Sequence, residues 1–532
     1  MARSNTMSMQ WAIPRTDSMP FGQVADAIRA IARCGWLAGA VGGAALYTLA
    51  CPPYEWSVTA WAIPAVFLVP AGRLRPARAF CCGLLFGVLS CLGITNWAFH
   101  ASLEYFAFNR VFAAAFVLLV WIAYAGIPFG LLAAAYAVAS RRVSGPVRAP
   151  VAAALWIGSE LVRASSLFGG MPWELLGHTQ FRQLPLIQVA DLGGVYAVSF
   201  VVALVSLGIG EAFAEAGLRP GARVAGHLVA PACVLALAIG YGLYSRQVYG
   251  GVPEKDTLKI AVVQGDIPNS FRWKREYFER NVVTYAELTS AGLPLRPDLI
   301  VWPENAVNFY INREPVLRAQ LADVARQARL GLLVGGPRLE SPMKAHNSAY
   351  LIGADGQING YYDKRQLVPF AEYNPLGFST RPQELAYVPG TAAEPLGVGG
   401  VQMGALICYE VLFPHLVSDL VRRGAGLLVN ISNDSWLDRG DGAAPRQHFS
   451  MAVFRTIETR RYLVRASASG VSGFVSPYGR MYGLVPSDTS GTALEQVVAR
   501  HEQTPYVRWG DSWVLLTLLV AGLVVGRGRR GA

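Results

Sequence analysis

Cys408 is the residue whose setting points most directly to chemistry. Six of the seven cysteines fall within or at the edge of long apolar runs, whereas Cys408 stands alone in the polar part of the chain. It follows the β-type run 403–407, so its side chain would emerge where a strand ends. A single cysteine has no disulfide partner and cannot build a zinc site. Cys408 is therefore either a buried structural thiol or a nucleophile.

Two more reactive groups follow β-type runs in the same part of the chain. They stand in the motifs Val301-Trp-Pro-Glu304 and Tyr362-Asp-Lys364. Taken singly, Glu304 could be a turn residue and Lys364 a surface charge. Together with Cys408 they make the set needed for acyl transfer. The carboxylate takes the thiol proton, the thiolate attacks a carbonyl and the ammonium stabilises the oxyanion.

The elements that must position these groups alternate between strand and helix from Lys259 onward. Short β-branched runs predict strands at 260–264, 298–302, 331–335, 349–352, 401–407, 426–430, 462–467 and 473–476. Charged stretches between them predict helices at 273–288, 314–330, 411–423 and 446–461. Asp355-Gly356 is a hairpin signal between two strands. This alternation predicts an α/β sandwich with catalytic residues at strand ends.

The remainder of the chain is too apolar for an ordinary soluble protein, since 53% of all residues are hydrophobic and only 15% are charged. Most of its long apolar runs reach the roughly 20 residues that cross a ~30 Å hydrocarbon core. These runs lie at 29–50, 57–72, 79–98, 111–139, 150–168, 185–212, 224–245 and 513–526. The fifth carries Glu160 and Arg163, which a membrane tolerates where such charges face the bundle interior. We predict an integral membrane α-helical bundle of about eight spans beside the α/β domain.

The arginines between these runs predict the topology. They fall in the loops after the second, fourth and sixth runs and in the C-terminal tail, as Arg73, Arg75, Arg78, Arg141, Arg142, Arg148, Arg219, Arg223, Arg527, Arg529 and Arg530. Cytoplasmic loops carry such an excess. The predicted organisation is a cytoplasmic tail (1–28), a membrane domain with seven spans (29–246), an outside domain (247–510), and the last span with a cytoplasmic tail (511–532).

The same features argue against a cleavable signal peptide and against binding to nucleic acid. The first apolar run is long and lacks a cleavage site, so it is not a cleavable signal peptide. The net charge of +11 reflects arginine at the cytoplasmic ends of the spans and contact with lipid headgroups, rather than binding to nucleic acid.

The three motifs, in this order, resemble the Glu-Lys-Cys triad of the nitrilase (carbon–nitrogen hydrolase) superfamily. With the eight-span frame around them, the chain resembles the apolipoprotein N-acyltransferases. The same resemblance covers four further segments: Gly170-Met-Pro-Trp-Glu-Leu-Leu-Gly-His178, Val263-Gln-Gly-Asp-Ile-Pro268 with Trp273, Asn430-Ile-Ser-Asn-Asp-Ser-Trp436, and Gln447-His448.

The resemblance implies roles for individual residues. It makes Glu304 the general base, Lys364 the oxyanion stabiliser and Cys408 the nucleophile. Glu372 would be a helper carboxylate near this triad. Three other residues would shape substrate binding in the active site: Trp273, Tyr409 and Glu410.

The resemblance also implies an activity, a ping-pong acyl transfer at the bacterial inner membrane with the nitrilase-like domain in the periplasm. Cys408 would take an acyl chain from a phospholipid, here expected to be phosphatidylethanolamine, as a thioester. The amine of the N-terminal diacylglyceryl-cysteine of an apolipoprotein would then receive it. No metal or nucleotide cofactor is expected, because the corresponding motifs are absent.

Two other functions stay open at this stage. One is a membrane-tethered amidase or nitrilase that cleaves a small nitrogenous substrate. The other is a transporter or lipid-binding protein with an inactive nitrilase-like domain, which the complete set of Glu304, Lys364 and Cys408 argues against.

The segment 371–400 is rich in Pro and Gly and only weakly periodic, so it predicts a long loop. It begins beside Glu372 and carries Leu376, Phe378, Leu385 and Tyr387. We expect it to form a mobile lid that keeps water from a thioester on Cys408.

Overall fold

The chain folds into an α-helical part and an α/β domain. The computed structural model describes residues 35–104, 106, 108–165, 167–216, 222–249, 256–267, 274–375, 386–437 and 441–528. The helical part contains α1 (Gly35–Ala50), α2 (Ile63–Ala71), α3 (Pro76–Ile94), α4 (Trp97–Glu104), α5 (Arg110–Trp121), α6 (Ile127–Ala139), α7 (Arg148–Ser165), α8 (Leu184–Ile187), α9 (Ala190–Ala216) and α10 (Ala222–Tyr249). Another apolar helix follows the α/β domain, α16 (Ser512–Arg527).

Several of these helices match a membrane span in length and composition. Among the described residues, four are long and apolar enough to cross a membrane: Pro76–Ile94, Arg110–Ala139, Ala190–Ala216 and Ala225–Gln247. Three shorter apolar helices are Gly35–Ala50, Ser57–Ala71 and Ser512–Arg527. The predicted helical membrane part is confirmed, whereas the count of eight spans stays a prediction.

The charged helix α7 shows how the bundle holds ionisable groups. Glu160 and Arg163 are both buried, as the sequence predicts for charges that face the bundle interior. Glu160 Oε1 accepts hydrogen bonds from the Trp156 indole at 3.0 Å and from the backbone N–H of Leu176 at 2.7 Å. Arg163 donates to the carbonyl of Trp173 at 3.1 Å. These partners offset part of the cost of removing the charges from water.

Small residues let helices of the bundle approach closely. Gly83 and Gly87 of α3 face the region where α5 continues into α6 through a π-helical turn. A Cβ added at Gly83 would lie 2.1 Å from the carbonyl oxygen of Phe129, and one at Gly87 2.5 Å from that of Ala125. Larger side chains at either position would therefore push the helices apart.

The α/β domain contains two sheets. Its strands are β1 (Thr257–Gln264), β2 (Leu299–Val301), β3 (Gly331–Ser341), β4 (Lys344–Ile352), β5 (Ile358–Asp363), β6 (Ala386–Tyr387), β7 (Leu396–Val398), β8 (Val401–Ile407), β9 (Leu427–Ser432), β10 (Leu463–Ser467), β11 (Ser472–Val475), β12 (Met481–Val485) and β13 (Gly491–Val498). One sheet has the order β13-β1-β2-β3-β4-β5 with β6 beside β4, and the other has the order β12-β11-β10-β9-β8-β7.

Helices cover the sheets. They are α11 (Phe278–Gly292), α12 (Pro315–Ala328), α13 (Pro414–Arg422), α14 (Ala443–Thr459) and α15 (Pro505–Trp509). The first two pack on the outer face of the first sheet in a core around Trp302 and Tyr285. The inner faces of both sheets share a second core that continues through α14 into the membrane helices. The α/β sandwich is therefore confirmed, and it is docked on the bundle rather than tethered to it.

The predicted loop 371–400 contains the short strands β6 and β7, which the sequence prediction missed. It also missed the edge strands β12 and β13. These two edge strands are half-buried along most of their length. Edge strands carry polar and apolar residues on a partly solvated surface, so they give a weak periodic signal. The predicted hairpin at Asp355-Gly356 is confirmed, because β4 and β5 pair antiparallel and Gly356 has a φ of +80°.

Candidate active site

The predicted triad comes together at the ends of three strands. Glu304 follows β2, Lys364 follows β5 and Cys408 follows β8. All three are buried, and all three line one polar cavity. Its wall is completed by Asn305, Asn347, Val368, Ala371, Glu372, Tyr387, Asn433 and Trp436. The three groups needed for acyl transfer therefore share one enclosed space.

Backbone contacts fix Glu304 in place. Its Oε2 accepts the backbone N–H of Asn433 at 2.7 Å, and its Oε1 lies 3.4 Å from the Lys364 ammonium. The strand beneath it carries Gly335, where an added Cβ would lie 2.6 Å from the Cα of Glu304. The glycine is needed because the loop after β2 passes directly over β3.

Glu372 and Asn347 complete the surroundings of Lys364. The Lys364 ammonium lies 2.9 Å from the Glu372 carboxylate. The Asn347 amide donates to Glu304 at 2.7 Å and to Glu372 at 2.9 Å, so it bridges both carboxylates. Glu372 therefore lies where the resemblance implies. Asn347 was not predicted, because it lies inside β4 and only the pairing of strands brings it to the site.

Neighbouring charges and burial keep Lys364 charged and the Cys408 thiol protonated in the resting site. Although burial disfavours the ammonium, the charges of Glu372 and Glu304 hold the pKa of Lys364 well above its usual value. Burial raises the pKa of the Cys408 thiol, the charge of Glu304 adds to this, and Lys364 opposes it only in part. The thiol thus stays protonated until a base removes its proton during the attack.

Burial also raises the pKa of the Glu304 carboxyl, an effect that Lys364 only partly opposes. A raised pKa makes Glu304 a better proton acceptor than an exposed carboxylate. The geometry and the charges therefore fit general base catalysis by Glu304 on Cys408.

The backbone at Cys408 is left-handed, with a φ of +51°. A 3₁₀ helix, Cys408–Leu412, starts here directly from the end of β8. A non-glycine residue rarely adopts this conformation, and functional sites often hold such strain. The sharp turn places the thiol at the end of β8.

Glu410 holds this turn from behind. Its carboxylate accepts the backbone N–H groups of Ile407 at 2.7 Å and Arg365 at 2.6 Å, and the Tyr362 hydroxyl at 2.9 Å. It is fully buried but lines neither of the two cavities that reach Cys408. Glu410 therefore connects the segment of Lys364 to the segment of Cys408, rather than facing the space for a substrate.

We predict that Glu410→Gln destabilises the protein and slows acyl transfer. Glutamine keeps one acceptor oxygen but turns an amide N–H₂ toward backbone donors, so at least one buried donor loses its partner. The free energy of unfolding should fall by about 1–3 kcal/mol. Thermal unfolding of the purified full-length protein measures it. Glu287→Gln, at an exposed position of α11, is the control and should leave the unfolding temperature unchanged.

A second cavity reaches Cys408 from the membrane helices. Its volume is about 120 Å³, and its walls are almost entirely apolar. Trp97, Phe116 and Val120 of the bundle line it together with Tyr409, Trp436 and Cys408 of the α/β domain. Tyr409 is held there because its hydroxyl donates to the carbonyl of Gly170 at 3.0 Å. Cys408 thus lies where a polar cavity and an apolar cavity meet.

A buried polar network behind Cys408 was not predicted. A ring nitrogen of His448, a carboxylate oxygen of Asp434 and the Cys408 sulfur lie within 4.8 Å of one another. These atom types could hold a metal ion. However, the Arg465 guanidinium lies 2.8 Å from the Asp434 carboxylate, which also accepts from Ser432 and Ser467. A guanidinium at this position repels a cation, so the arrangement fits a structural hydrogen-bond network better.

Two expectations fall on residues outside those described. Trp273 belongs to 268–273, and the central part of the predicted lid, including Leu376, Phe378 and Leu385, belongs to 376–385. The role of Trp273 and the lid therefore stay predictions. Within the described part of 371–400, Glu372 and Tyr387 both line the polar cavity.

Comparisons with known proteins agree with this architecture. Residues 43–208 match the family described as apolipoprotein N-acyltransferase N-terminal domain, and residues 259–506 match the carbon-nitrogen hydrolase family. An apolipoprotein N-acyltransferase of Geobacter metallireducens is 34% identical over 520 residues, which cover 93% of this chain and 95% of that relative. One of Pseudomonas putida is 31% identical over 522 residues, covering 94% of this chain and 98% of the relative.

The similar solved structures include one that covers half of this chain. An amidase from Nesterenkonia sp. is 21% identical and covers 50% of this chain and 98% of its own, with a TM-score of 0.38. The curated relatives, in contrast, match both the helical part and the α/β domain. This chain therefore belongs to the apolipoprotein N-acyltransferase family.

Proposed function

We propose that this protein transfers a fatty acyl chain from a membrane phospholipid to the N-terminal amine of diacylglyceryl-cysteine in apolipoproteins. The observation that carries the proposal is the position of Cys408 between two cavities. The apolar cavity, walled by membrane helices, suits an acyl chain. The polar cavity, with Glu304 and Lys364, suits the reacting ester or amide group.

The first half-reaction forms an acyl-enzyme. Glu304 takes the proton of the Cys408 thiol while the sulfur attacks the carbonyl carbon of the phospholipid ester. The Lys364 ammonium stabilises the oxyanion that develops. When the tetrahedral intermediate collapses, the C–O bond breaks and Glu304 returns the proton to the departing alkoxide. A lysophospholipid leaves, and the acyl chain stays on Cys408 as a thioester.

The second half-reaction consumes the thioester. The neutral α-amine of the apolipoprotein attacks the same carbonyl carbon, and Glu304 accepts a proton from its nitrogen. The C–S bond then breaks, and the Cys408 thiolate takes the proton back from Glu304. The products are an amide and the resting enzyme, so protons balance over the cycle without any external acid or base.

The apolar cavity favours this activity over a membrane-tethered amidase. Each CH₂ group moved from lipid into water costs about 0.8 kcal/mol, so a long acyl chain needs a continuous apolar path to the nucleophile. A small nitrogenous substrate needs none. A transporter with an inactive domain would have no use for the closely packed set of Glu304, Lys364 and Cys408.

Reconstitution tests the proposed activity. The purified full-length protein is incubated with phosphatidylethanolamine, the donor we propose, and a diacylglyceryl-cysteine peptide. We expect the peptide to gain the mass of one fatty acyl group and the lipid to become a lysophospholipid. A peptide whose N-terminus is already acetylated is the control and should gain nothing. Hydrolysis of small amides without any transfer to the peptide would favour the amidase instead.

We also propose how the chain is arranged across the membrane. Residues 1–28 form a cytoplasmic tail, 29–246 the membrane domain, 247–510 a periplasmic catalytic domain, and 511–532 the last span with its cytoplasmic tail. The enzyme would act at the inner membrane, and the alternating arginine loops support this orientation.

Labelling of single cysteines tests this topology. Asp355 and Ser144 are both exposed but lie in the α/β domain and at the far end of the helical bundle. In spheroplasts, a membrane-impermeant maleimide should label Asp355→Cys and should label Ser144→Cys only after lysis. The opposite pattern would overturn both the orientation and the proposed lipoprotein substrate.

A further inference from the structure

A large polar cavity lies at the end of the helical bundle away from Cys408. It measures about 490 Å³ and opens between the ends of α2, α6, α7 and α9. Its lining contains Arg73, Arg141, Arg148, Glu211 and Glu215, with Tyr136, Ser140 and Ser144. The catalytic site does not use these residues, and no step of acyl transfer requires them.

The two carboxylates of this cavity are already satisfied. Glu211 accepts from the Tyr136 hydroxyl and from Arg148, whose guanidinium lies 3.4 Å away. Glu215 pairs with the His227 ring. Arg148 also donates to the carbonyls of Val143 at 2.9 Å and Ser140 at 3.0 Å. Arg148 thus offsets the charge of Glu211, whereas Glu215, paired with the His227 ring, keeps a negative charge in the wall of the cavity.

Two arginines keep donors for a ligand. Among the residues that the structure describes, the Arg73 guanidinium has no hydrogen-bond or ion-pair partner. Within the described ranges, the Arg141 guanidinium donates only to the carbonyl of Leu74, at 2.6 Å, and has no carboxylate partner. In the part of the chain that the structure describes, the cavity therefore presents two arginines without a carboxylate partner, next to the exposed Ser144.

We propose that this cavity binds a phosphate group through Arg73 and Arg141. Guanidinium groups match phosphate oxygens with paired N–H donors, and basic pockets between membrane helices characteristically hold lipid headgroups. The phosphate could be carried by an anionic phospholipid of the adjacent leaflet or be free in solution. The position at the ends of membrane helices favours the phospholipid. The site would be separate from the donor site at Cys408.

Binding of a defined lipid tests the proposal. Full-length Cys408→Ala protein, which cannot consume a donor lipid, is titrated with dioleoyl phosphatidylglycerol and examined by native mass spectrometry. We expect one lipid whose affinity falls by about tenfold or more in Arg73→Gln/Arg141→Gln. The matched control is Arg75→Gln/Arg78→Gln, which removes two exposed arginines close to Arg73 in the chain that do not line the cavity. It should bind as the parent does.

A variant that is expected to bind the lipid more tightly, and inorganic phosphate as a second ligand, complete the test. Glu215→Gln removes a negative charge from the wall and should bind the lipid more tightly. Inorganic phosphate should not compete with the lipid at millimolar concentration. If it raises the unfolding temperature in an Arg73- and Arg141-dependent way while the lipid does not bind, the phosphate site stands and the lipid source is wrong. If both double variants bind lipid and phosphate equally, the proposal is overturned, whatever the outcome for acyl transfer.

Discussion

Cys408→Ala is expected to abolish acyl transfer while the protein still folds. The sulfur forms the bond that carries the acyl group, and the described part of the α/β domain contains no other cysteine. Alanine adopts the left-handed backbone at this position no worse than cysteine does, so the structural cost should be only about 1–2 kcal/mol. The measurement is the rate of peptide acylation by purified enzyme, alongside thermal unfolding.

Cys81→Ala is the matched control, because Cys81 is exposed on a helix of the bundle. It should transfer acyl groups at the parental rate. Retained peptide acylation by Cys408→Ala would exclude a covalent mechanism through this residue.

Glu304→Gln and Lys364→Met are expected to lower the rate of acyl-enzyme formation by about 10²–10³-fold each. Glutamine cannot take the thiol proton, and methionine leaves the oxyanion without its ammonium. Single-turnover formation of the acyl-enzyme from phospholipid measures this step. The matched controls are Glu279→Gln and Lys344→Met, which change exposed residues of the same domain and should form the acyl-enzyme normally.

The two variants also separate the half-reactions. If Glu304 and Lys364 act as proposed, neither variant should accumulate acyl-enzyme. A variant that forms the thioester at a normal rate but cannot pass it to the peptide would move that residue to the second step.

The pH dependence of the parental enzyme tests the role of Glu304 as a base. An exposed glutamate has a pKa of about 4.3. Because burial raises the pKa of Glu304, the rate of acyl-enzyme formation should already fall at a pH above this value.

The sequence predicts the reactive centre well because each of its three residues follows a strand, and two of these strands, β2 and β8, are buried. Short β-branched runs identify β2 and β8. Reactive side chains that follow neighbouring strands lie close together at one edge of a sandwich. Glu304, Lys364 and Cys408 therefore lie together as expected. The buried charges of α7 were also predictable, since a membrane span tolerates them only when they face the bundle interior.

Other parts of the site depend on long-range pairing that no local pattern reveals. Asn347 meets Glu304 only because β4 pairs with β3 in one register. Asp434 and Arg465 are 31 residues apart, yet they form a buried ion pair beside Cys408. The resemblance implies an active-site role for Glu410, but its hydrogen bonds to the backbone N–H groups of Arg365 and Ile407 depend on the tertiary structure. These contacts are consequences of tertiary packing.

The central claim is that Cys408 carries a fatty acyl chain, and peptide mapping by mass spectrometry tests it most directly. The full-length enzyme is incubated with phospholipid in the absence of a peptide acceptor, digested, and analysed for the peptide that contains Cys408. We predict the mass of one fatty acyl group on this residue, removed by neutral hydroxylamine and lost when the acceptor peptide is added. An enzyme that acylates the peptide while Cys408 stays unmodified, or while the acyl group lies on another residue, would contradict the account.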